Sequence, residues 1–71
     1  MARSIGDTVQ WNWGQGTAQG QIKQIYKERV SKTLKGSEIV RDGDADNPAY
    51  LIEQNDGDQV LKLESELDTS G

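Results

Sequence analysis

At 71 residues, with 32% hydrophobic and 28% charged residues and a formal net charge of -4, the chain supports one small domain with a thin core, because a single core below roughly 70 to 80 residues supplies little stability. It has neither cysteine nor histidine, which excludes disulfide frameworks, the usual zinc sites and every Ser-His or Cys-His nucleophile pair, so no enzyme of those classes is expected. No stretch approaches the roughly 20 apolar residues of a membrane span, and Met1 to Gly6 lack the apolar run of a secretory signal; the expectation is a soluble cytoplasmic protein with no membrane association, no cofactor and no metal.

In chain order, Asp7-Thr8-Val9-Gln10-Trp11-Asn12-Trp13 alternates polar and large apolar residues, the mark of a strand with one buried face. Gly14-Gln15-Gly16 breaks this run and Ala18 to Tyr26 resumes it, which predicts a β-hairpin. Gly20 suggests a bulge or sharp bend, and the odd spacing of Ile22 and Ile25 points to a bulge or a change of face. Val30 and Leu34 stand at helical spacing, but the stretch from Lys27 to Gly36 is short and partly β-branched, so a long loop or extended arm is predicted there.

Ser37 to Arg41 reads as a third strand, followed by the turn formers Asp42-Gly43-Asp44-Ala45-Asp46-Asn47-Pro48. Ala49 to Gln54 and Gln59 to Leu63 read as two further strands, and Asp56-Gly57 between them signals a hairpin. Glu64 to Leu67 is expected to form one helical turn that plugs the core with Leu67. Residues 1–4 and 68–71 are expected to be flexible ends around a folded unit at 5–67. Five short strands with tight turns imply an all-β barrel, since a lone sheet of this size leaves a face and two edges unprotected.

Three blocks carry a resemblance to a known family: Gly6-Asp7-x-Val9-x-Trp11-x-Trp13-Gly14-x-Gly16-x-Ala18-x-Gly20-x-Ile22, then Pro48-Ala49-Tyr50-x-Ile52, then Asp56-Gly57-x-x-Val60-Leu61-Lys62 with Ser65-Glu66-Leu67. In this order they resemble the hypervirulence-associated proteins with a Tudor-like domain, over about Ile5 to Leu67. The resemblance implies a small five-stranded SH3-like or Tudor-like barrel. It implies no particular activity, because fold does not fix function. The better-known Tudor relatives hold methylated Lys or Arg in an aromatic cage, which by analogy directs attention to aromatic residues near acids.

Trp11 reads as core. Trp13, at the strand end beside the glycine turn, reads either as core or as a barrel-mouth residue, and Tyr50 follows Pro48 at the start of a strand. With Asp44, Asp46 and Glu53 nearby in sequence, Trp13 and Tyr50 are the candidate ligand-binding residues. Carboxylates beside aromatic rings suit a cationic side chain, so a peptide or protein partner, in particular a basic peptide, is expected at a mouth formed by the first hairpin and the Asp42 to Pro48 loop. The competing reading is that both aromatics complete the core.

Charge is unevenly spread. Lys23, Lys27, Arg29, Lys32 and Lys35 face only Glu28 in their stretch, whereas nine acids from Asp42 onward face only Lys62. The basic stretch is the alternative contact surface, for RNA or DNA, although the net negative charge disfavours nucleic acid as a partner. The bland reading is a solvated face that protects an edge strand. Self-association as a structural accessory is the third reading. Gly14-x-Gly16-x-x-x-Gly20 leads into a strand rather than a helix, so it reads as a turn and not a phosphate loop. Asp42, Asp44 and Asp46 have the alternation of a calcium loop, but Pro48 and a strand intervene before Glu53, and no metal is expected.

Overall fold

The computed structural model describes residues 3–67, except for the side chain of Trp13. The expected flexible C-terminus, 68–71, and residues 1–2 lie outside this range. Six antiparallel strands form: β1 (Thr8–Trp13), β2 (Gly16–Tyr26), β3 (Arg29–Leu34), β4 (Ser37–Asp42), β5 (Ala49–Gln54) and β6 (Gln59–Leu63), and a 3₁₀ turn at Glu64–Glu66 follows. β1, β2, β5 and β6 make one four-stranded sheet in that order, and β3 pairs only with β4. The domain is a small all-β SH3-like/Tudor-like fold, with six strands rather than five, and its two sheets are not joined by backbone pairing into a closed barrel.

The additional strand is β3, where the sequence suggested a loop or arm. Leu34 pairs with Ser37, so Lys35 and Gly36 alone make the turn, both with positive φ (52° and 79°), the requirement of a type I′ hairpin. Its inner face alternates Val30, Lys32 and Leu34, all half-buried. The lysine in the middle hides the strand pattern. Its ammonium lies 5.1 Å from the centre of the Tyr26 ring, so the stem covers apolar surface while the charge is held by the aromatic face.

Within the large sheet, Val9 and Trp11 pair with Gly20 and Ala18, and Ile22 pairs with Ile52, which pairs with Val60. Directly opposed residues share a face, so these side chains converge. They form the core cluster Val9, Trp11, Ile22, Tyr50 and Ile52, which Leu67 joins from beyond the 3₁₀ turn. A register shift between Ile22 and Gln24 keeps Ile25 opposite Tyr50; the bulge lets two isoleucines of odd spacing serve the same face. Gly20 is not itself the bulge. A Cβ there would stand 2.5 Å from the Glu53 carbonyl oxygen, so glycine permits close approach to β5.

Candidate functional site

Antiparallel pairing sets the end of β2 beside the start of β5: Ile25 opposes Tyr50 and Tyr26 opposes Ala49. The β4–β5 loop returns to this same end. Gly43 is pressed between backbones here, since a Cβ would lie 2.7 Å from the Tyr26 carbonyl oxygen and 2.9 Å from that of Glu28. Asp44 shapes the loop, its Oδ1 accepting from the N–H groups of Asp46 (2.8 Å) and Asn47 (2.7 Å), the local turn that aspartate favours. Asn47 then fastens the loop to the 3₁₀ turn. Its Oδ1 accepts from the Ser65 N–H at 2.9 Å, and the Glu64 N–H donates to the Pro48 carbonyl at 2.9 Å.

Between these elements lies a cavity of about 340 Å³. Ile25, Pro48 and Tyr50 form its apolar wall; Arg3, Lys27, Asp46 and Glu64 bring charge. Tyr50 is 0% exposed, and its hydroxyl donates to Glu64 Oε1 at 2.9 Å. Arg3 Nε donates to both oxygens of the same carboxylate, at 3.0 and 3.2 Å. Burial and the neighbouring Glu64 carboxylate raise the Tyr50 phenol above its ordinary value. Arg3, Tyr50 and Glu64 thus satisfy one another, whereas Lys27 and Asp46 form no ion pair among the described residues. The cavity offers one free charge of each sign beside an apolar wall.

Of the predicted ligand-binding residues, Tyr50 and Asp46 line this cavity, and Lys27 of the alternative basic stretch joins them. Trp13 pairs with Gly16 at the start of β2, whereas Tyr50 pairs with Ile25 near its end, so the backbone positions of the two aromatics lie at opposite ends of the sheet and not at one rim. The Trp13 side chain lies outside the described part. Glu53 faces away from Tyr50 by strand alternation and lies 3.6 Å from Lys23. Among the described side chains, this cavity is walled by the end of β2, and none of the first hairpin lines it. Arg3, expected in a flexible N-terminus, and Lys27, Pro48 and Glu64 were not singled out for this site. The one hint was the expected helical turn at Glu64 to Leu67, which returns the chain to the core through Leu67.

The basic stretch is largely engaged within the domain. Lys23 pairs with Glu53, Arg29 with Asp42 at 3.1 Å, and Lys35 with Asp58, which raises the Lys35 pKa; Lys32 sits on Tyr26. Among the described residues, Lys27 alone of the five has no such contact. With Asp42 held by Arg29 and Asp44 by backbone N–H groups, the aspartates of the loop do not converge, and among the described residues no group of three or more acids is placed to hold a metal. No helix among these residues is long and apolar enough to cross a membrane.

Comparison with known proteins agrees with the geometry. No curated protein and no solved structure matches the chain. The family model of the hypervirulence associated proteins TUDOR domain matches residues 6–67, from the first turn before β1 to the leucine that closes the core, and the chain belongs to that family.

Proposed function

We propose that this Tudor-like domain is a non-enzymatic binding module that takes a peptide segment of another protein in the cavity between the end of β2, the β4–β5 loop and the 3₁₀ turn. The observation that carries this reading is the balance of the lining: apolar Ile25 and Pro48 together with Lys27 and Asp46, which form no ion pair among the described residues. A peptide offers an apolar side chain and polar groups of both signs within a short span. A lipid tail needs no such charges, and a phosphate backbone gains little from a site where acids equal bases. The net charge of -4 speaks against the nucleic-acid reading.

The test is to select peptides from a random display library on the immobilised domain and to measure their affinity for Ala45→Trp and Lys27→Glu. Both positions are exposed, so the fold is retained. Ala45→Trp fills the cavity and is expected to abolish binding; Lys27→Glu is expected to weaken it about tenfold, equivalent to roughly 1.4 kcal/mol. Selected peptides that bind both variants as tightly as the parent domain would overturn the reading.

A further inference from the structure

Two openings mark the surface of the domain. The groove of about 210 Å³ where the β3–β4 hairpin meets β6 has a cationic rim, but Lys35 and Arg41 there are already paired, with Asp58 and Glu66. The cavity at the β4–β5 loop is different, because part of its lining comes from outside the matched domain. Arg3 precedes β1 and lies outside the family-matched residues 6–67, whereas Tyr50 and Glu64 lie within them. Arg3 is placed by a short turn, in which the Ser4 N–H donates to Asp7 Oδ2 at 2.9 Å and the Asp7 N–H to the Ser4 carbonyl at 3.0 Å. None of residues 3–7 is buried, and Ile5 is 62% exposed. From Gly6 onward the chain is fastened to β2, the Gly6 N–H donating to the Ile22 carbonyl at 2.7 Å, so Arg3 can leave Glu64 without loss of a core contact.

Glu64, by contrast, is placed by the domain itself. Its N–H donates to the Pro48 carbonyl and the Tyr50 hydroxyl donates to its Oε1, both at 2.9 Å. Arg3 meets the carboxylate through a single N–H: both hydrogen bonds to Glu64 leave from Nε. A guanidinium that presents two parallel N–H groups satisfies the two oxygens better, and a partly exposed pair of this kind is weak enough to exchange. With Arg3 withdrawn, the charged lining is Glu64 and Asp46 against Lys27 alone, which suits a cation. We propose, on the reading of the cavity as a peptide site, that Arg3 is its built-in occupant and that the incoming peptide carries an arginine whose guanidinium replaces Arg3 on Glu64. Ile25 and Pro48 then flank the stem of that arginine, and Lys27 is left for an acidic residue of the same peptide. In the free protein the N-terminal segment acts as a tethered competitor that lowers the apparent affinity of the site.

The probe is Nα-acetyl-arginine amide, titrated into the parent chain and into Arg3→Ala and followed by amide resonances, with the lysine and citrulline amides as controls. Unchanged Val9 and Trp11 amides show that a variant is folded. In Arg3→Ala the arginine amide is expected to shift Ala45, Tyr50 and Glu64 saturably and to leave Gln59 and Val60 unmoved. It is expected to bind about tenfold more tightly than to the parent, the difference made by a competitor docked about nine-tenths of the time. The lysine amide, which lacks the planar fork, is expected to bind at least about threefold more weakly than the arginine amide, and the uncharged citrulline amide not to bind. Arg3→Lys is expected to give an intermediate affinity. Glu64→Gln, which still accepts from Tyr50, is expected to abolish binding in the Arg3→Ala background. Equal affinity of the parent and Arg3→Ala, equal binding of the lysine or citrulline amide, or no saturable shift in Arg3→Ala would overturn the proposal. Display-selected peptides separate its failure from that of the peptide site. Peptides that bind the parent, carry no arginine and gain nothing from Arg3→Ala overturn the built-in occupant and leave the peptide site standing. Saturable arginine-amide binding with no selected peptide overturns the peptide site and leaves the guanidinium site standing.

Discussion

The four-stranded sheet and the β3–β4 hairpin are both antiparallel and both alternate their side chains, yet they are held in different ways. The sheet curls over its own apolar face and encloses Val9, Trp11, Ile22, Tyr50 and Ile52. The hairpin, residues 29–42, contains no buried residue at all. Beside the half-buried Val30, Leu34 and Ile39, it is held by polar pairs: Arg29 to Asp42 and Ser31 to Glu38 across its own strands, Lys35 to Asp58 on the β5–β6 turn, and Arg41 to Glu66 on the 3₁₀ turn. In so short a chain there are aliphatic and aromatic residues enough for one closed core, and the second sheet is left to surface pairs that are individually weak. Both openings follow the seam between the closed core and the elements fastened to it. The cavity forms where the β4–β5 loop returns to the sheet, and the groove forms where the hairpin meets β6.

The largest effect that separates the two regions is truncation of Trp11, which is 3% exposed. Trp11→Ala is expected to cost about 3 to 5 kcal/mol, a large share of the roughly 5 to 15 kcal/mol that small domains possess. The half-buried Ile39 of the hairpin is expected to cost about 1 kcal/mol when replaced by alanine, since it withdraws much less surface from water. Urea unfolding followed by tryptophan fluorescence and circular dichroism measures both. Equal losses would mean that the hairpin is an integral part of the core and that the contrast is wrong.

How far each region was legible follows from the same contrast. β1 shows in the sequence because its inward residues Val9 and Trp11 are both apolar, and the bulge in β2 shows because Ile22 and Ile25 both serve the core at a spacing that straight strands forbid. β3 is hidden because a half-buried strand tolerates Lys32 at its centre and because its turn rests on Lys35 and Gly36, a less familiar pair than Asp-Gly. The aromatic pair is a different case. Nearness of Trp13 to Tyr50 depends on which strand β5 joins and in which register, and pairing with the far end of β2 separates the two positions. No local pattern carries that information. The sequence suggests a bulge or sharp bend at Gly20 and a turn at Gly43, whereas each marks a close approach of backbones that only the assembled sheet creates.

The next effect lies inside the closed core. Tyr50→Phe removes the hydrogen bond to Glu64 and is expected to cost about 1.5 to 3 kcal/mol, the range for a bond to a charged partner. Burial and Glu64 raise the folded-state value of the phenol above 10.0. Its contribution is therefore fully present below pH 10 and is lost as the pH rises through the folded value. Urea midpoints across the alkaline range are expected to fall for the parent protein and to fall less for Tyr50→Phe. An unchanged alkaline slope in the variant would remove Tyr50 from the polar link between core and 3₁₀ turn.

The smallest effect concerns the tether of the hairpin, and it is best seen through pH. Arg41 Nε donates to Glu66 Oε1 at 2.7 Å, and the Leu63 N–H donates to the same oxygen at 2.8 Å. Burial alone would raise the Glu66 carboxyl, but these donors outweigh it and hold the group below its ordinary 4.5. A depressed carboxyl contributes stability that is present above its unfolded value and is lost as the pH falls through the folded one. Arg41→Gln is expected to cost under about 1 kcal/mol at neutral pH, because both side chains are partly exposed and water screens the pair. It is also expected to flatten the acid limb of the stability profile, since Glu66 loses its strongest donor and moves back toward its ordinary value. Hydrogen exchange is expected to show faster opening of β4 amides in the variant while those of β1 and β2 are unchanged, the response of an element held from outside the core. Uniformly faster exchange across β1, β2 and β4 would show instead that the tether and the core open as one unit.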